Sequence, residues 1–308
     1  MRSPSHPSGT GPTRRSLLQG LGALGALGGA TALGAGTAAP AAASAASWRH
    51  GRPVPPGKIG FGLYSVRDML AAAPARTLAM LAEAGYAEIE PAYDYGGRSP
   101  AGFRRLADAN GLEIVGSHHH PYDFRGEAAD VTLERAAVLG QEYVGVSYMD
   151  GEQTADGYRR MAEEMNSWGA KARQHGLRWY AHLHDNEFHT DPQTGEVLFD
   201  VWLAETDPDL VWFEMDLYWI LRARTDPRPY LRRFERRFPL LHLKDGDPVA
   251  GLETDLGDGV VDFADILGYL RHPAAHHYVI ERDEQPDPVR TARRSYDHLR
   301  SLRVTRRV

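Results

Sequence analysis

Four short strand-like segments in the second half of the chain end in residues that ligate metals: His182-Leu183-His184-Asp185, Glu214-Met215-Asp216, His242-Leu243-Lys244-Asp245 and Glu281-Arg282-Asp283. Residues two apart on a strand face the same way, so His182 shares a face with His184, Glu214 with Asp216, His242 with Lys244, and Glu281 with Asp283. One residue from each segment, His182, Asp216, His242 and Glu281, offers two imidazoles and two carboxylates to one divalent cation. Nitrogen and oxygen ligands without sulfur suit Mn, Co, Mg, Fe or Zn, and ligand type alone does not choose among them. A single buried polar pair is commonplace, but four in succession make a metal-centred enzyme the leading reading. Lys244, beside His242, is placed either to present a cation to a substrate oxygen or simply to end a strand at the surface.

Something must bring these segments together. They recur at intervals of about 30 to 40 residues, the span of a strand, a loop and a helix. Short β-branched or aromatic runs fall over 59–66, 87–92, 113–118, 143–148, 177–182, 211–216, 240–244 and 277–281. Between them lie amphipathic helical runs over 77–84, 128–139 and 157–174, stopped by Gly85, Gly140 and Gly176. Eight such units predict an α/β protein whose parallel sheet closes into a single (β/α)8 TIM barrel. An open doubly wound sheet is the alternative, but no Gly-rich dinucleotide fingerprint follows any strand. The longest connections, 185–197 and 245–260, follow strands that end in candidate ligands, where a barrel builds its active-site rim.

Composition narrows the class. The chain has 308 residues, no cysteine, and 41 acidic against 35 basic residues. Disulfides and thiolate metal sites are excluded, and nucleic acid is an unexpected partner for a mildly acidic chain without a basic, aromatic-rich face. Thr13-Arg14-Arg15-Ser16-Leu17-Leu18 precedes a Gly- and Ala-diluted apolar run and the small residues Ala43-Ser44-Ala45. This predicts a cleaved twin-arginine export signal over 1–45, a Pro/Gly-rich linker over 46–57 and the barrel over 58–303, with no stable membrane insertion after cleavage. Removing the signal leaves about 260 residues, the size of one such barrel.

Several motifs in order resemble the sugar phosphate isomerase/epimerase superfamily, the xylose isomerase-like barrels that include the family 2 AP endonucleases. They are the run from Ile59 to Asp68 (IGFGLYSVRD), Phe213-Glu214-Met215-Asp216-Leu217-Tyr218-Trp219, Leu240-Leu241-His242-Leu243-Lys244-Asp245, the run from Gly257 to Asp262 (GDGVVD) and Tyr278-Val279-Ile280-Glu281. Epimerases of this superfamily hold a metal with a Glu, an Asp, a His and a Glu at the ends of strands five to eight. The resemblance maps the last three onto Asp216, His242 and Glu281. The first position departs from the pattern: His182 stands where Glu is usual, with His184 and Glu187 close behind.

The resemblance implies an enzyme that uses one divalent metal to polarise a sugar, while Glu281 removes a proton to give an enediolate, and the expected export signal makes that substrate an unphosphorylated sugar or keto-sugar. His182 would serve as the acid on the opposite face, and Glu187 is the candidate to restore a second carboxylate. His118, His120, His184, Lys244, Glu90, Trp219 and Tyr64 are the expected substrate contacts. One carboxylate and one imidazole also suit a lyase or hydratase that eliminates the aglycone of a 3-keto-glycoside. A sugar-binding barrel without turnover is the reading from outside enzymology, an abasic-site endonuclease fits least, and homo-oligomerisation is open.

Overall fold

The computed structural model describes residues 51–307; the expected export signal and the start of the expected linker lie outside them. Eleven strands appear: β1 Ile59–Gly62, β2 Glu88–Glu90, β3 Glu113–Ile114, β4 His118–His119, β5 Tyr143–Val146, β6 Arg178–His182, β7 Val211–Asp216, β8 Leu240–Leu243, β9 Asp245–Asp247, β10 Leu252–Thr254 and β11 His277–Ile280. Nine form one parallel sheet in the order β3-β2-β1-β11-β8-β7-β6-β5-β4. Its two ends are pieces of one stave. Val115 N–H donates to Ile89 O (3.1 Å), Tyr143 N–H donates to Val115 O (3.1 Å) and His118 N–H donates to Pro91 O (2.9 Å), so residues 113–119 join β2 to β5. Eight staves therefore complete the ring of a (β/α)8 TIM barrel, as the strand count predicts.

Gly116 lies between the two pieces of that third stave. A Cβ on Gly116 would lie 3.1 Å from Glu90 Oε1 and 3.2 Å from the Tyr180 hydroxyl. Absence of a side chain there leaves room for the two groups to meet inside the barrel. The remaining staves alternate as strands covered on both faces do. Val211, Phe213 and Met215 of β7 join the large cluster under the helices, whereas Trp212, Glu214 and Asp216 face the barrel interior. The same parity sends Tyr180 and His182, Leu240 and His242, and Val279 and Glu281 inward. The inward columns of β7 and β8 are apolar low in the barrel, at Trp212 and Leu240, and polar at the C-terminal end, whereas Glu88 of β2 and His277 of β11 pair low in the barrel at 2.8 Å.

Helices end where the sequence places their stops. Pro74–Ala84 closes on Gly85 at φ 107° and Ala128–Leu139 on Gly140 at φ 71°, the left-handed cap that glycine adopts without steric cost. Thr154 Oγ1 caps Ala155–Gln174 by accepting from Gly157 N–H at 3.0 Å. Two expected loops carry more order than their composition suggests. Residues 245–260 contain the antiparallel β9–β10 hairpin, and Arg52, in the expected linker, exchanges two 2.8 Å backbone hydrogen bonds with Val304. No helix among the described residues is long and apolar enough to cross a membrane.

Candidate active site

The polar inward residues meet at the C-terminal end of the staves. Glu214 is their hub. Its Oε2 accepts from His118 Nε2 and His182 Nδ1, each at 2.8 Å, and its Oε1 lies 3.1 Å from His242 Nε2. His242 Nε2 also donates to Glu90 Oε2 at 2.8 Å, while Glu90 Oε1 accepts from the Tyr180 hydroxyl at 2.5 Å. This lower layer orients rings: a proton on His182 Nδ1 engaged by Glu214 leaves Nε2 as the free, basic nitrogen.

Above it sit three of the four metal ligands expected from sequence, Asp216, His242 and Glu281; His182 stands beside them, and its donor atom groups instead with His118, Glu214 and His242. Asp216 Oδ2 is 3.9 Å from both His182 Nε2 and His242 Nδ1, and His242 Nδ1 is 3.2 Å from Glu281 Oε2. Asp216 is divided between two tasks. Its Oδ1 accepts from Tyr218 and Trp219 N–H (2.9 and 3.1 Å), capping the helix Leu217–Arg222, so Oδ2 alone faces the cluster. Lys244 Nζ shares the space, 2.9 Å from Glu281 Oε2, 3.0 Å from Asp283 and 3.4 Å from Asp216 Oδ2. Gly62 permits the approach of Glu281: a Cβ there would sit 3.0 Å from Glu281 Oε1.

Burial and neighbouring charges set the protonation states. Burial alone would push the Glu214 and Glu281 carboxyls up. The cations beside them outweigh it, His242 and His118 for Glu214, Lys244 and His242 for Glu281, and hold both carboxyls well below the usual range. By the reciprocal argument, burial disfavours charge on His242 and Lys244, yet the facing carboxylates raise both well above their ordinary values. Burial pushes Asp216 up to about 6, against the pull of Lys244. His182 is lowered well below its usual value by burial, and His184 to about 4 by burial and Lys244, so both are neutral imidazoles near neutral pH.

A pocket of about 270 Å³ opens over this cluster, lined by Tyr64, Tyr93, His118, Ser147, Tyr148, His182, His184, Lys244, Glu281 and Asp283 with Ala92. Of the expected substrate contacts, His118, His184, Lys244 and Tyr64 reach it directly. Glu90 lies beneath, under His242. Trp219 stands behind, its ring 5.2 Å from His184 and 5.6 Å from Lys244 Nζ. His120 is at the rim, stacked on Tyr93 at 4.3 Å.

Glu187 corrects the expectation of a second catalytic carboxylate. It is buried, but it accepts from His184 N–H at 2.7 Å and from the Asn186 amide at 3.0 Å, which turns it into its own loop rather than toward the pocket. Burial pushes its carboxyl up to about 7. Sequence reasoning left out the central role of Glu214 and the contributions of Tyr180, Asp283, Ser147 and Tyr148. The parity of β6 and β7 would have found Tyr180 and Glu214, each two residues before a chosen ligand. The loop residues carry no such periodic signal.

The residues fit a divalent cation. Asp216 Oδ2 and His242 Nδ1 are buried without a hydrogen-bond partner and face one another, and one donor atom from each of Asp216, His242 and Glu281 falls within 4.8 Å of the others. A second buried set, His118, His182, Glu214 and His242, meets the same spacing, but its imidazoles are already engaged by Glu214.

No curated protein matches the chain. Among solved structures, two sugar phosphate isomerase/epimerases from Parabacteroides distasonis superpose with TM-scores of 0.71 and 0.69 at 23% and 24% identity, covering 80% and 78% of this chain and 96% of each of theirs. The probable 3-DHS dehydratase AsbF of Bacillus anthracis superposes with a TM-score of 0.63 at 13% identity, over 79% of this chain and 97% of that one. At such identities the likeness is one of fold. The family model described as the xylose isomerase-like TIM barrel matches residues 78–302. By that match over most of its length, the chain belongs to the xylose isomerase-like TIM barrel family.

Proposed function

We propose that this protein is a metal-dependent enzyme that moves a proton on an unphosphorylated sugar or keto-sugar, as an isomerase first and a β-eliminating lyase second. The observation that carries the reading is the asymmetry of the pocket. Glu281 and Asp283 stand with Lys244 on one side, and His182 and His184, both neutral, line the pocket with them. A divalent cation held by Asp216, His242 and Glu281, with His182 beside them, would supply a Lewis acid for a substrate carbonyl and hydroxyl. Glu281 takes the proton adjacent to the carbonyl, and an imidazole, His182 through its free Nε2 or His184, takes up the substrate hydroxyl proton and passes it to the carbonyl oxygen. With Glu187 turned away, two opposed carboxylates are not available, so symmetric epimerisation is less favoured than isomerisation or elimination. That same pairing of one base with one imidazole acid supports the lyase reading.

The substrate class follows from charge. Among the described residues Lys244 is the single lysine or arginine lining the pocket, and three carboxylates already engage it. A phosphate dianion would find no free cation there. The twin-arginine pattern at residues 13–18 supports export, hence work on extracytoplasmic sugars. Incubation with a ketose and with a 3-keto-glycoside in deuterated water tests the chemistry. Solvent deuterium in an isomerised product is expected for the first reading and aglycone release for the second, and Glu281→Gln should lower either rate by about 10²-fold or more. Absence of exchange with both substrates, or a Glu281→Gln protein as active as the parent, rules the proposal out.

A further inference from the structure

The mouth of the barrel is divided in two. Staves five to eight supply the chemistry, whereas each of the first four is followed by a tyrosine: Tyr64 after β1, Tyr93 after β2, Tyr122 after β4 and Tyr148 after β5. Tyr93, Tyr122 and Tyr148, at 41%, 58% and 39% exposure, are the large aromatic side chains most open to solvent among the described residues, and they gather at one place. The rings form a continuous run. Tyr64 meets Tyr93 edge-on at 6.4 Å, Tyr93 stacks on His120 at 4.3 Å, His120 stacks on Tyr122 at 4.8 Å, and Tyr148 meets His120 edge-on at 6.1 Å. Because Tyr64, Tyr93 and Tyr148 also line the pocket, the run leads out of it without a break.

Tyr93 is held in place rather than left to drift. Its backbone has φ 67°, in the left-handed region that an aromatic residue seldom occupies, and is retained by Tyr93 N–H donating to His118 O at 2.9 Å and by a 2.6 Å hydrogen bond between its hydroxyl and Ser147. Strain held beside a pocket points to a ring whose position matters.

We propose that this aromatic run is a platform for a second sugar ring, so that the substrate is a glycoside of at least two rings with its reacting unit in the pocket. The proposal rests on the carbohydrate reading of that pocket. A cavity of about 270 Å³ lies below the usual range for larger ligands and has room for one pyranose, not two. The second ring must then cross the lip, and the surface at that lip is aromatic. Pyranoses present a face of C–H bonds that packs on the electron-rich face of tyrosine, while the phenolic hydroxyls stay in water.

Calorimetric binding of glucose, galactose and xylose, against cellobiose, maltose, lactose and xylobiose, tests the platform in the intact protein. At least one disaccharide should bind about tenfold more tightly than its monosaccharide. Tyr122→Ala should remove about fivefold of that gain, Tyr122→Phe should keep it, and Tyr122→Ala with Tyr148→Ala should bring the two ligands to parity. Equal affinity for one and two rings, no binding of either, or a gain indifferent to Tyr122→Ala overturns the proposal. So does a phenyl glucoside that outbinds every disaccharide, which would make the occupant an aryl group. Failure here is separable from failure of the proton-transfer chemistry. Deuterium exchange with an indifferent Tyr122→Ala defeats the platform alone, and a ring-dependent affinity without exchange defeats the chemistry alone.

Discussion

Lys244 provides the sharpest test of how the site is held together. Its ammonium is 2% exposed and lies within 3.4 Å of carboxylate oxygens from Glu281, Asp283 and Asp216. Lys244→Met keeps the length of the side chain and removes the cation, leaving Asp216 and Glu281 buried and Asp283 partly buried, with His242 as the nearest remaining cation. Breaking a buried ion pair from one side costs about 3–5 kcal/mol, because the stranded charge must be neutralised or solvated. For a domain of this size about 2–4 °C of melting temperature follows each kcal/mol, so the variant should melt roughly 6–20 °C below the parent in chelator. Asp216 and Glu281 are also proposed metal ligands, and a divalent cation can replace the ammonium between them. Saturating Mn²⁺ should therefore raise the melting temperature of Lys244→Met more than that of the parent. Scanning calorimetry with chelator and with Mn²⁺ reads both effects. A variant that melts within about 2 °C of the parent in chelator, or that gains no more from Mn²⁺, refutes the claim that Lys244 and the metal compete for one acidic nest.

Two further outcomes bear on the loop and the frame. The Glu187 carboxyl, pushed from 4.5 to about 7 by burial, keeps its proton in the folded chain when the unfolded chain has lost it. Its stabilisation is full below about 4.5 and fades as pH rises toward 7, by up to about 3 kcal/mol; Glu187→Gln should lose this dependence, and urea unfolding at pH 5 and 8 that shows the same slope in both proteins would rule it out. Gly145→Ala would place a Cβ 2.1 Å from Tyr180 O and 2.7 Å from its ring, so it should destabilise by about 1–3 kcal/mol and disturb the Tyr180–Glu90 hydrogen bond. A denaturation midpoint equal to the parent's would show that the stave tolerates the methyl group.

What was legible in the sequence was whatever a period or a motif carries. Alternating strand and helix runs with glycine stops predicted eight staves, and β7 falls at 211–216 as expected. Period-two parity on β6, β7, β8 and β11 placed His182, Asp216, His242 and Glu281 on inward faces, since a strand's side chain direction depends only on local backbone geometry. Tertiary structure decided which inward groups meet. Glu214 becomes the hub because β4, β6 and β8 bring His118, His182 and His242 to it from up to 96 residues away, a convergence no local pattern encodes. The same holds for the capture of Glu187 by its own loop, for the ammonium of Lys244 among three acids, and for the four tyrosines, whose loops differ in length and sequence and become neighbours only when the barrel closes. Strand and helix follow from short-range sterics and hydrophobic period; the charge states and the shape of the site follow from contacts between distant segments, which exist only in the folded chain.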